Sequence, residues 1–403
     1  MYWSNLPLFV TFLFFSSEMA SVVAFQTPSP PALATARIFG QGSLIQRPSS
    51  SVPKEQDILE KPDWAGGGLI SDMVNILIGI KPIFKILRSG ARNVLIQNAE
   101  KKGIEWQEES DQLMAKQEEL EILLEEVVNK DMEYPDYYLQ EFHGYDEGNL
   151  NWLAAAECKS ATLSMATRVW PTEDMTYDQS QLRLRNSYLD PLEEFIKEVG
   201  SSENPKAVVD IGCSVGVSTA ALNKRFPSAQ VLGLDLSPYF LAVAKLLELE
   251  TKDSEKASIS PISWVHAKAE DTGLADNSID IVMLTFIVHE LPSEATREVL
   301  AEVQRILKPG GVVAITDIDP KSPVIQKLPR AISTLMKSTE PWSDQYYILD
   351  MEEEMRTAGF VNFKYVVTDP RHSTYYAQKA AKIDNIKKVD WPQQFFSLFS
   401  SKQ

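Results

Sequence analysis

Apolar and polar positions follow two alternating rhythms along the second half of the chain. Short apolar runs of strand length are separated by segments with helical periodicity, such as 238–250 and 293–307. The predicted strands are 207–211, 230–235, 261–267, 279–285 and 312–317. Buried apolar strands that alternate with helices are typical of a parallel sheet covered on both faces. The pattern therefore predicts an α/β fold with a doubly wound, mostly parallel sheet over residues 206–380.

Upstream of the sheet the apolar spacing is helical. Residues 69–97 are apolar with interleaved Lys and Arg, and residues 105–129 carry a leucine-rich stripe on an acidic background. A basic amphipathic segment such as 69–97 favours contact with an anionic membrane surface, or docking onto the main domain. We expect a helical extension over 53–133, a helical lid or substrate segment over 134–205, and a tail over 381–403.

The first 52 residues have the composition of a targeting sequence. A short apolar run is followed by small residues, and no acidic residue occurs over 19–54. This order is typical of a signal peptide followed by a transit-like segment. With Phe25 directly after Ala24, residues 1–52 resemble the two-part plastid presequence of algae with secondary plastids. A secretory signal followed by a spacer is the alternative.

Charge and composition narrow the range of partners. The formal net charge is −17, whereas binding to nucleic acid phosphates needs a concentrated basic surface, so no nucleic acid partner is expected. Four histidines and two cysteines show no metal-ligand spacing, so no metal site is expected. A small-molecule substrate is the favoured partner, and the oligomeric state stays open.

The first predicted strand runs into a loop of small residues, 208-VVDIGCSVGVS-218. Gly212 and Gly216 let the backbone turn tightly and approach a ligand, and Ser214 stands between them. The second predicted strand ends at Asp235, where a carboxylate can accept hydrogen bonds from ribose hydroxyls. These features alone fit a dinucleotide such as NAD as well as another adenosine-containing cofactor.

Three further motifs separate these cofactors. The motifs are 264-WVHAKAEDTGL-274, 276-DNSIDIVMLTFIVHELP-292 and 305-RILKPGGVVAITD-317. Together with the loop, they resemble the class I S-adenosylmethionine-dependent methyltransferases, in the type 11 branch that contains quinone C-methyltransferases. The wider segments 134–157 and 320–352 resemble plastid and cyanobacterial members of unassigned substrate. The resemblance implies a seven-stranded Rossmann-like sheet over 206–380 and S-adenosyl-L-methionine as cofactor.

The resemblance also implies a set of cofactor contacts at the ends of the first four strands. This set comprises Asp210, Gly212, Ser214, Gly216, Asp235, Leu236, Ala269, Glu270 and Thr285. The loop backbone would hold the methionine part of the cofactor, with Asp210 near its amino group. Asp235 would bind the ribose, and Leu236 would cover one face of the adenine.

The remaining contacts lie after the third and fourth strands. Ala269 and Glu270 would lie at the adenine edge, although Lys268 stands where many relatives have an Asp. Thr285 and Phe286 would face the reactive methyl group.

Methyl transfer needs a general base only if the attacking atom must lose a proton. His289 and Glu290, after the fourth strand, and His143, in a tyrosine-rich segment, are the candidate catalytic residues. A quinone or phenolic ring would need such a base, whereas a small thioether acid, as in the synthesis of sulfonium osmolytes, would not. A carboxylate substrate would pair with Arg371 or with one of the cations over 320–347.

Two other classes of protein remain possible from the sequence. A regulatory protein that binds the cofactor without catalysis would keep the loop and Asp235. An NAD dehydrogenase would share the same loop and strand-end acid.

Overall fold

The computed structural model describes residues 61–62, 64–65, 92–254, 260–328 and 330–381. Its seven strands are β1 Ala207–Ile211, β2 Gln230–Asp235, β3 Ser263–His266, β4 Ile279–Thr285, β5 Leu307–Ile318, β6 Phe360–Val367 and β7 His372–Lys379. They form one sheet in the order β3-β2-β1-β4-β5-β7-β6. Strands β1 to β5 pair in parallel, and β7 runs antiparallel to both of its neighbours. The prediction of a mostly parallel, seven-stranded α/β sheet is confirmed.

Helices cover both faces of this sheet. They are α1 Trp106–Ala115, α2 Gln117–Val127, α3 Trp152–Thr167, α4 Tyr177–Glu198, α5 Val217–Arg225, α6 Pro238–Ser254, α7 Ser293–Ile306, α8 Pro323–Gln326, α9 Arg330–Thr339, α10 Ser343–Ile348 and α11 Met351–Thr357. Successive strand residues face opposite sides, so Val208 packs with apolar residues of α4 and α5, and Val209 packs with α7 and α11. The sheet is therefore doubly wound.

Several boundaries differ from those expected. β5 begins at Leu307, earlier than the predicted residue 312, because Leu307 already pairs with Ile279 of β4. The pairing of β4 with β5 shifts register near Ile279, which is how the early part of β5 fits. Residues 285–292 contain only one 3₁₀ turn, Val288–Glu290.

The described part of the N-terminal extension is mainly helical from residue 92 to residue 127. Residues 92–100 are helical, and α1 and α2 are separated by Lys116. Leucines of α1 and α2 pack against α3 and α6, as expected of an apolar stripe. No helix among the described residues is both long and apolar enough to cross a bilayer. Residues 1–52, most of 69–97 and all but the first residue of 381–403 lie outside the described residues, so the predictions made for them stay predictions.

The expectation of a helical segment over 134–205 is wrong for its first part. Residues 134–150 form turns, and the helices α3 and α4 begin only after Asn151. Three residues of this segment, His143, Gly144 and Gly148, have positive φ angles of 48°, 92° and 58°. A left-handed conformation at these positions is incompatible with a continuous α-helix, so the segment folds as a succession of turns. We call residues 134–150 the turn segment.

Trp64 lies far upstream of the sheet in the sequence, but its side chain packs in the core of the sheet domain. Its side chain is 1% exposed, and its indole N–H donates to the carbonyl of Ile325 at 3.3 Å. Its ring also meets the ring of Tyr347 edge-on, with 5.0 Å between centroids. Position 64 thus packs beside the helices that follow β5.

Candidate functional site

A cavity of about 800 Å³ opens at the carboxyl ends of the parallel strands. It is lined by the loop after β1, by the ends of β2 and β4, by α3, and by the turn segment. Strands β2 and β4 lie on opposite sides of β1, so the connections that leave these strands diverge there. Ligands of open α/β sheets bind at this type of switch point.

The loop after β1 is shaped for close approach of a ligand to the backbone. Gly212 and Gly216 have φ angles of 71° and 81°, in the left-handed region that favours glycine. A Cβ on Gly212 would lie 2.2 Å from Cδ1 of Ile287, and one on Gly216 would lie 2.5 Å from the ring of Trp264. The amide N–H of Gly212 donates to the carbonyl of Leu234 at 2.7 Å. The loop is therefore fixed to the end of β2 and has no room for larger residues at its two glycines.

Asp235 joins this loop to the start of the next helix. Its carboxylate accepts the N–H of Ser214 at 2.7 Å and the N–H of Ser237 at 2.8 Å. Asp235 is 7% exposed and lines the cavity. Burial raises the pKa of its carboxyl group to about 6, although the two amide hydrogen bonds oppose that shift. The acid predicted to bind the ribose is thus placed at the cavity and also holds the loop.

Ser214 has a positive φ of 51° and a side-chain contact of its own. Its hydroxyl lies 2.8 Å from the sulfur of Cys158 on α3, within hydrogen-bonding distance. The serine therefore links the loop to α3, a contact that glycine at this position could not make.

Three residues of the predicted cofactor set do not line the cavity. Asp210 is fully buried, and one of its carboxylate oxygens accepts the hydroxyls of Ser218 at 2.7 Å and Thr219 at 2.6 Å. Burial raises the pKa of Asp210. Gly216 packs on Trp264, and the carboxylate of Glu270 accepts the hydroxyl of Tyr137. The structure thus places these three behind the cavity wall. The remaining six members of the set do line the cavity: Gly212, Ser214, Asp235, Leu236, Ala269 and Thr285.

His266 is not among the residues that line the cavity, but it fixes the backbone at Leu236, on the side where the adenine is expected. One ring nitrogen accepts the N–H of Asn129 at 2.9 Å, which leaves the other to donate to the carbonyl of Leu236 at 3.0 Å. Burial lowers the pKa of His266, so the neutral form that this bonding requires is favoured. Leu236 and Ala269 then present an apolar surface to the cavity.

The opposite part of the cavity holds paired charges. His289 is 7% exposed, and its Nδ1 lies 2.6 Å from a carboxylate oxygen of Asp317 at the end of β5. Burial alone would lower the pKa of His289, but the carboxylate of Asp317 raises it to about 10. Asp317 also accepts the backbone N–H of His289 at 3.1 Å. The imidazole is consequently held in its protonated form at neutral pH.

His143 and Glu290, the other two candidate catalytic residues, contact each other. Nε2 of His143 lies 3.2 Å from a carboxylate oxygen of Glu290. Burial lowers the pKa of His143, but the charge and hydrogen bond of Glu290, together with the charge of Glu340, raise it overall. The structure therefore brings all three candidates to the cavity, where each histidine is paired with a different carboxylate.

Glu340 is a charged residue of the cavity that the sequence analysis did not single out. It follows α9, and one of its carboxylate oxygens is buried without a hydrogen-bond partner. Burial raises its pKa, against the charges of His289 and His143. Asp317, by contrast, could have been found, because an acid at the end of a parallel strand points to the ligand edge.

Four arginines also line the cavity: Arg92, which pairs with Glu157, and Arg168, Arg185 and Arg371. Arg185 on α4 is 6% exposed, donates to the hydroxyl of Tyr188 at 2.9 Å, and has a buried Nε without a partner. Its charge opposes the rise in the pKa of Asp210 behind the loop. Arg168 and Arg185 carry no motif in the sequence, and only the fold brings them to this edge.

Among the described residues, no three His, Cys, Asp or Glu side chains lie together in a way that would hold a metal ion.

Phe286 has a φ of 59°, and its ring packs against His372 with 4.8 Å between centroids. Thr285, directly before it, ends β4 at the cavity.

The sheet order, the loop after β1 and the acid at the end of β2 define a Rossmann-like domain of the class I methyltransferase type. Residues 209–315 match the family model of the methyltransferase domain, Methyltransf_11. This part of the chain is therefore similar to the class I S-adenosylmethionine-dependent methyltransferase domains of the type 11 branch, whose cofactor is S-adenosyl-L-methionine.

Two relatives resemble the same region. Trans-aconitate 2-methyltransferase of Methylobacterium radiotolerans is 30% identical over 141 residues, which are 35% of this chain and 47% of that protein. Demethylmenaquinone methyltransferase of Staphylococcus aureus is 33% identical over 135 residues, which are 33% of this chain and 52% of that protein. The chain thus spans about half the length of the curated relatives it matches.

A solved structure of an S-adenosylmethionine-dependent methyltransferase from Aquifex aeolicus is also similar. It has a TM-score of 0.36 at 21% identity, over 53% of this chain and 98% of that one.

Proposed function

We propose that this chain transfers a methyl group from S-adenosylmethionine to a small molecule. The observation that carries the proposal is that one cavity joins two different surfaces. One is the glycine loop with Asp235, and the other is a wall of charged side chains formed by the turn segment, α3 and the residues after β4 and β5. A cofactor on the first surface would direct its reactive end towards an acceptor on the second.

The residues at the first surface fit this cofactor. Gly212 lines the cavity with a φ of 71°, so the loop backbone can approach a ligand without an intervening Cβ. Asp235 would bind the ribose hydroxyls, and Leu236 and Ala269 would flank the adenine. Arg185 would face the carboxylate of the methionine part, since its Nε lacks a partner at the cavity. Asp210 would act through the loop and α5, which it holds through Ser218 and Thr219.

The bound cofactor supplies an activated methyl group, so the chain mainly has to position an acceptor and exclude water. The turn segment and α3 would perform the second task, because they cover the cavity on the side away from the sheet.

The side chains that could act as a general base limit the classes of acceptor that the site could methylate. The carboxylates beside His143 and His289 raise the pKa values of both imidazoles, and the pKa of His289 rises to about 10, so His289 holds a proton near neutral pH. A protonated imidazole cannot accept a proton from an acceptor. Glu340 is the carboxylate of this wall whose oxygen is buried without a partner. It is therefore the group that would serve as base if one is used.

Two acceptor classes follow from this arrangement. A small thioether acid, of the kind converted to a sulfonium osmolyte, needs no base, because its sulfur becomes a sulfonium without releasing a proton. A quinone or phenolic ring would need Glu340. The names of the two relatives include one organic acid and one quinone acceptor, so they support an acid and a ring as acceptors without naming a thioether. We favour the thioether acid, because the wall is charged and its imidazoles are already paired.

A comparison of Glu340→Gln with the unchanged protein tests this choice. The full chain is incubated with methyl-labelled S-adenosylmethionine and a metabolite extract, and the labelled aqueous and lipid products are separated. We expect a labelled, water-soluble sulfonium and an activity of Glu340→Gln within about threefold of the unchanged protein, because no proton has to be removed. Glu352→Gln, an exposed change on α11, is the matched control.

A labelled lipid-phase product, together with a roughly 100-fold or larger loss of rate in Glu340→Gln, would instead identify a ring acceptor and Glu340 as its base. Cofactor binding without any labelled product would favour a regulatory protein that has lost catalysis. Binding of NAD but not of S-adenosylhomocysteine would support the alternative that the protein is an NAD dehydrogenase.

We also propose a plastid as the setting, on the basis of residues 1–52. Fusion of these residues to a fluorescent protein in an alga with a secondary plastid tests it, and fluorescence in the medium or secretory pathway would contradict it. Peripheral membrane contact through 69–97 is the companion proposal. Co-sedimentation of the full chain with anionic vesicles tests that contact.

A further inference from the structure

Arg168 and Arg371 approach the cavity from distant parts of the chain. Arg168 directly follows α3, where its backbone N–H donates to the carbonyl of Met165 at 3.1 Å. Arg371 directly precedes β7. Phe286 lies between these two positions, because it packs with Ala166 and Val169 around the end of α3 and its ring contacts His372. Both arginines line the cavity beside Phe286.

Neither guanidinium has a protein acceptor within the described ranges. Other arginines of the domain are paired: Arg225 donates to Asp190 at 2.6 Å, and Arg297 donates to Glu354 at 2.7 Å. The two cavity arginines therefore differ from arginines that serve only the fold.

The nearby carboxylate of Asp369 is already engaged. It accepts the backbone N–H of Arg371 at 2.8 Å, the backbone N–H of His372 at 3.0 Å and Nδ1 of His372 at 2.8 Å. These bonds shape the turn before β7 and leave the Arg371 side chain to face the cavity. On the other side, Glu340 attracts Arg168 through space without forming an ion pair with it.

In the protein without a ligand, the surroundings destabilise the charged guanidinium groups of Arg168 and Arg371. Burial and, to a lesser extent, the positive charge of Arg371 together lower the pKa of Arg168 to about 10. Burial likewise lowers the pKa of Arg371. Two like charges that face one cavity repel each other, and a bound anion would relieve that repulsion. A strained arrangement of this kind in a cleft is typical of a binding site.

We propose that Arg168 and Arg371 form an anion subsite that binds the carboxylate of the acceptor. Each planar guanidinium can donate two parallel N–H bonds to a carboxylate, so the pair can clamp one from two sides. Ile318, Ile332 and Met336 also line the cavity and would contact a short carbon chain. The acceptor is therefore a small organic acid. The inference rests on the proposed function, and it names the class of substrate for the same site.

Binding of defined acids to the full chain tests the subsite. The probes are 3-(methylthio)propanoate, 4-hydroxybenzoate and propane-1,2,3-tricarboxylate, each compared with its methyl ester. Binding is measured by calorimetry in the presence of saturating S-adenosylhomocysteine. The variants are Arg168→Met and Arg371→Met. The matched control is Arg183→Met, an arginine on α4 that pairs with Glu173 and is not among the residues that line the cavity.

We expect at least one acid to bind roughly tenfold or more tightly than its ester, and each cavity variant to lose roughly tenfold in affinity for that acid. Affinity for S-adenosylhomocysteine should stay within about twofold in both variants. The melting temperature should stay constant or rise, because a repelling and unpaired cation is removed. Arg183→Met should bind the acid normally.

Three results would overturn the subsite: equal binding of acids and esters, binding of none of the acids, or unchanged acid affinity in both cavity variants. A fall in melting temperature with unchanged acid affinity would mean a structural role. Failure of the unchanged protein to bind S-adenosylhomocysteine would instead count against the proposed function, so the two failures are distinguishable.

Discussion

The two halves of the cavity are built in different ways. The cofactor half is a backbone surface, in which the amides of a short loop are tied to the end of β2 and to one carboxylate, Asp235. The acceptor half is a side-chain surface, in which buried charges come from the turn segment, α3, the residues after β4 and β5, and the start of β7. The first half derives its shape from glycine conformations, and the second derives it from electrostatic pairing.

This difference has a consequence for mutation. A change of Asp235 in the cofactor half should weaken binding with a smaller effect on the fold, since its carboxylate bonds two backbone amides. A change in the acceptor half should disturb the fold itself wherever it leaves a buried charge without its partner. The following three changes are ordered by the size of the effect we expect.

The largest effect should follow from His289→Leu. Asp317 would lose the imidazolium that neutralises it while remaining 3% exposed. Removal of one partner from a buried ion pair costs about 3–5 kcal/mol, so the free energy of unfolding at pH 7 should fall by that order. Urea denaturation measures it, and the double change His289→Leu with Asp317→Leu should recover part of the loss. A fall below about 1 kcal/mol would contradict the picture of a balanced pair.

The same pair predicts the direction of a pH effect. The pKa of His289 rises from 6.5 in the unfolded chain to about 10 in the fold. Its stabilising contribution is therefore complete below pH 6.5 and is lost as pH rises through 10. The unchanged protein should lose stability over that interval, and His289→Leu should lose less.

An intermediate effect should follow from Asp235→Asn in the cofactor half. The amide keeps one acceptor oxygen for the loop but removes the charge that strengthens its hydrogen bonds. Affinity for S-adenosylhomocysteine should fall by roughly 10- to 100-fold, with a smaller change in stability than in His289→Leu. Asp276→Asn, an exposed residue paired with Arg305, is the control for calorimetry. Unchanged affinity would remove Asp235 from the cofactor site.

The smallest effect should be the pH dependence of cofactor affinity. The pKa of Asp235 is raised from 3.8 to about 6, so the carboxylate is fully ionised only above that value. Affinity for S-adenosylhomocysteine should rise by a few-fold between pH 5 and 7, and Asp235→Asn should flatten the profile. For stability the sign is opposite, because the buried charge becomes less favourable as pH rises from 3.8 through 6. A profile that is flat in the unchanged protein would contradict this assignment.

The same division explains what the sequence could predict. Strand periodicity predicted β1, β2 and β4 with their observed ends, and the glycines beside Asp210 predicted the loop, because these signals are local in the chain. Sequence order placed Asp210 at the cofactor, whereas the fold buries it behind Ser218 and Thr219. A resemblance in sequence thus located the loop without saying which side of it each side chain occupies.

The acceptor half left almost no local signal. Arg168 ends an alanine-rich helix, Glu340 ends another helix, and their proximity depends on how α3 and α9 pack over the sheet. No spacing rule connects such residues in a single sequence. The histidines were found because histidine is rare in this chain, but their partners were not, and the partners decide whether each imidazole is free to accept a proton.

Trp64 sets a limit on how much of the amino-terminal region can be removed. Its indole is inserted beside Tyr347 and bonded to Ile325, in the helical region that adjoins the acceptor half. A protein that begins near residue 52 would keep this indole in the core, whereas one that begins after residue 64 would leave a cavity of indole size there. If residues 1–52 are removed as the proposed leader, we therefore expect the cleavage to fall before Trp64.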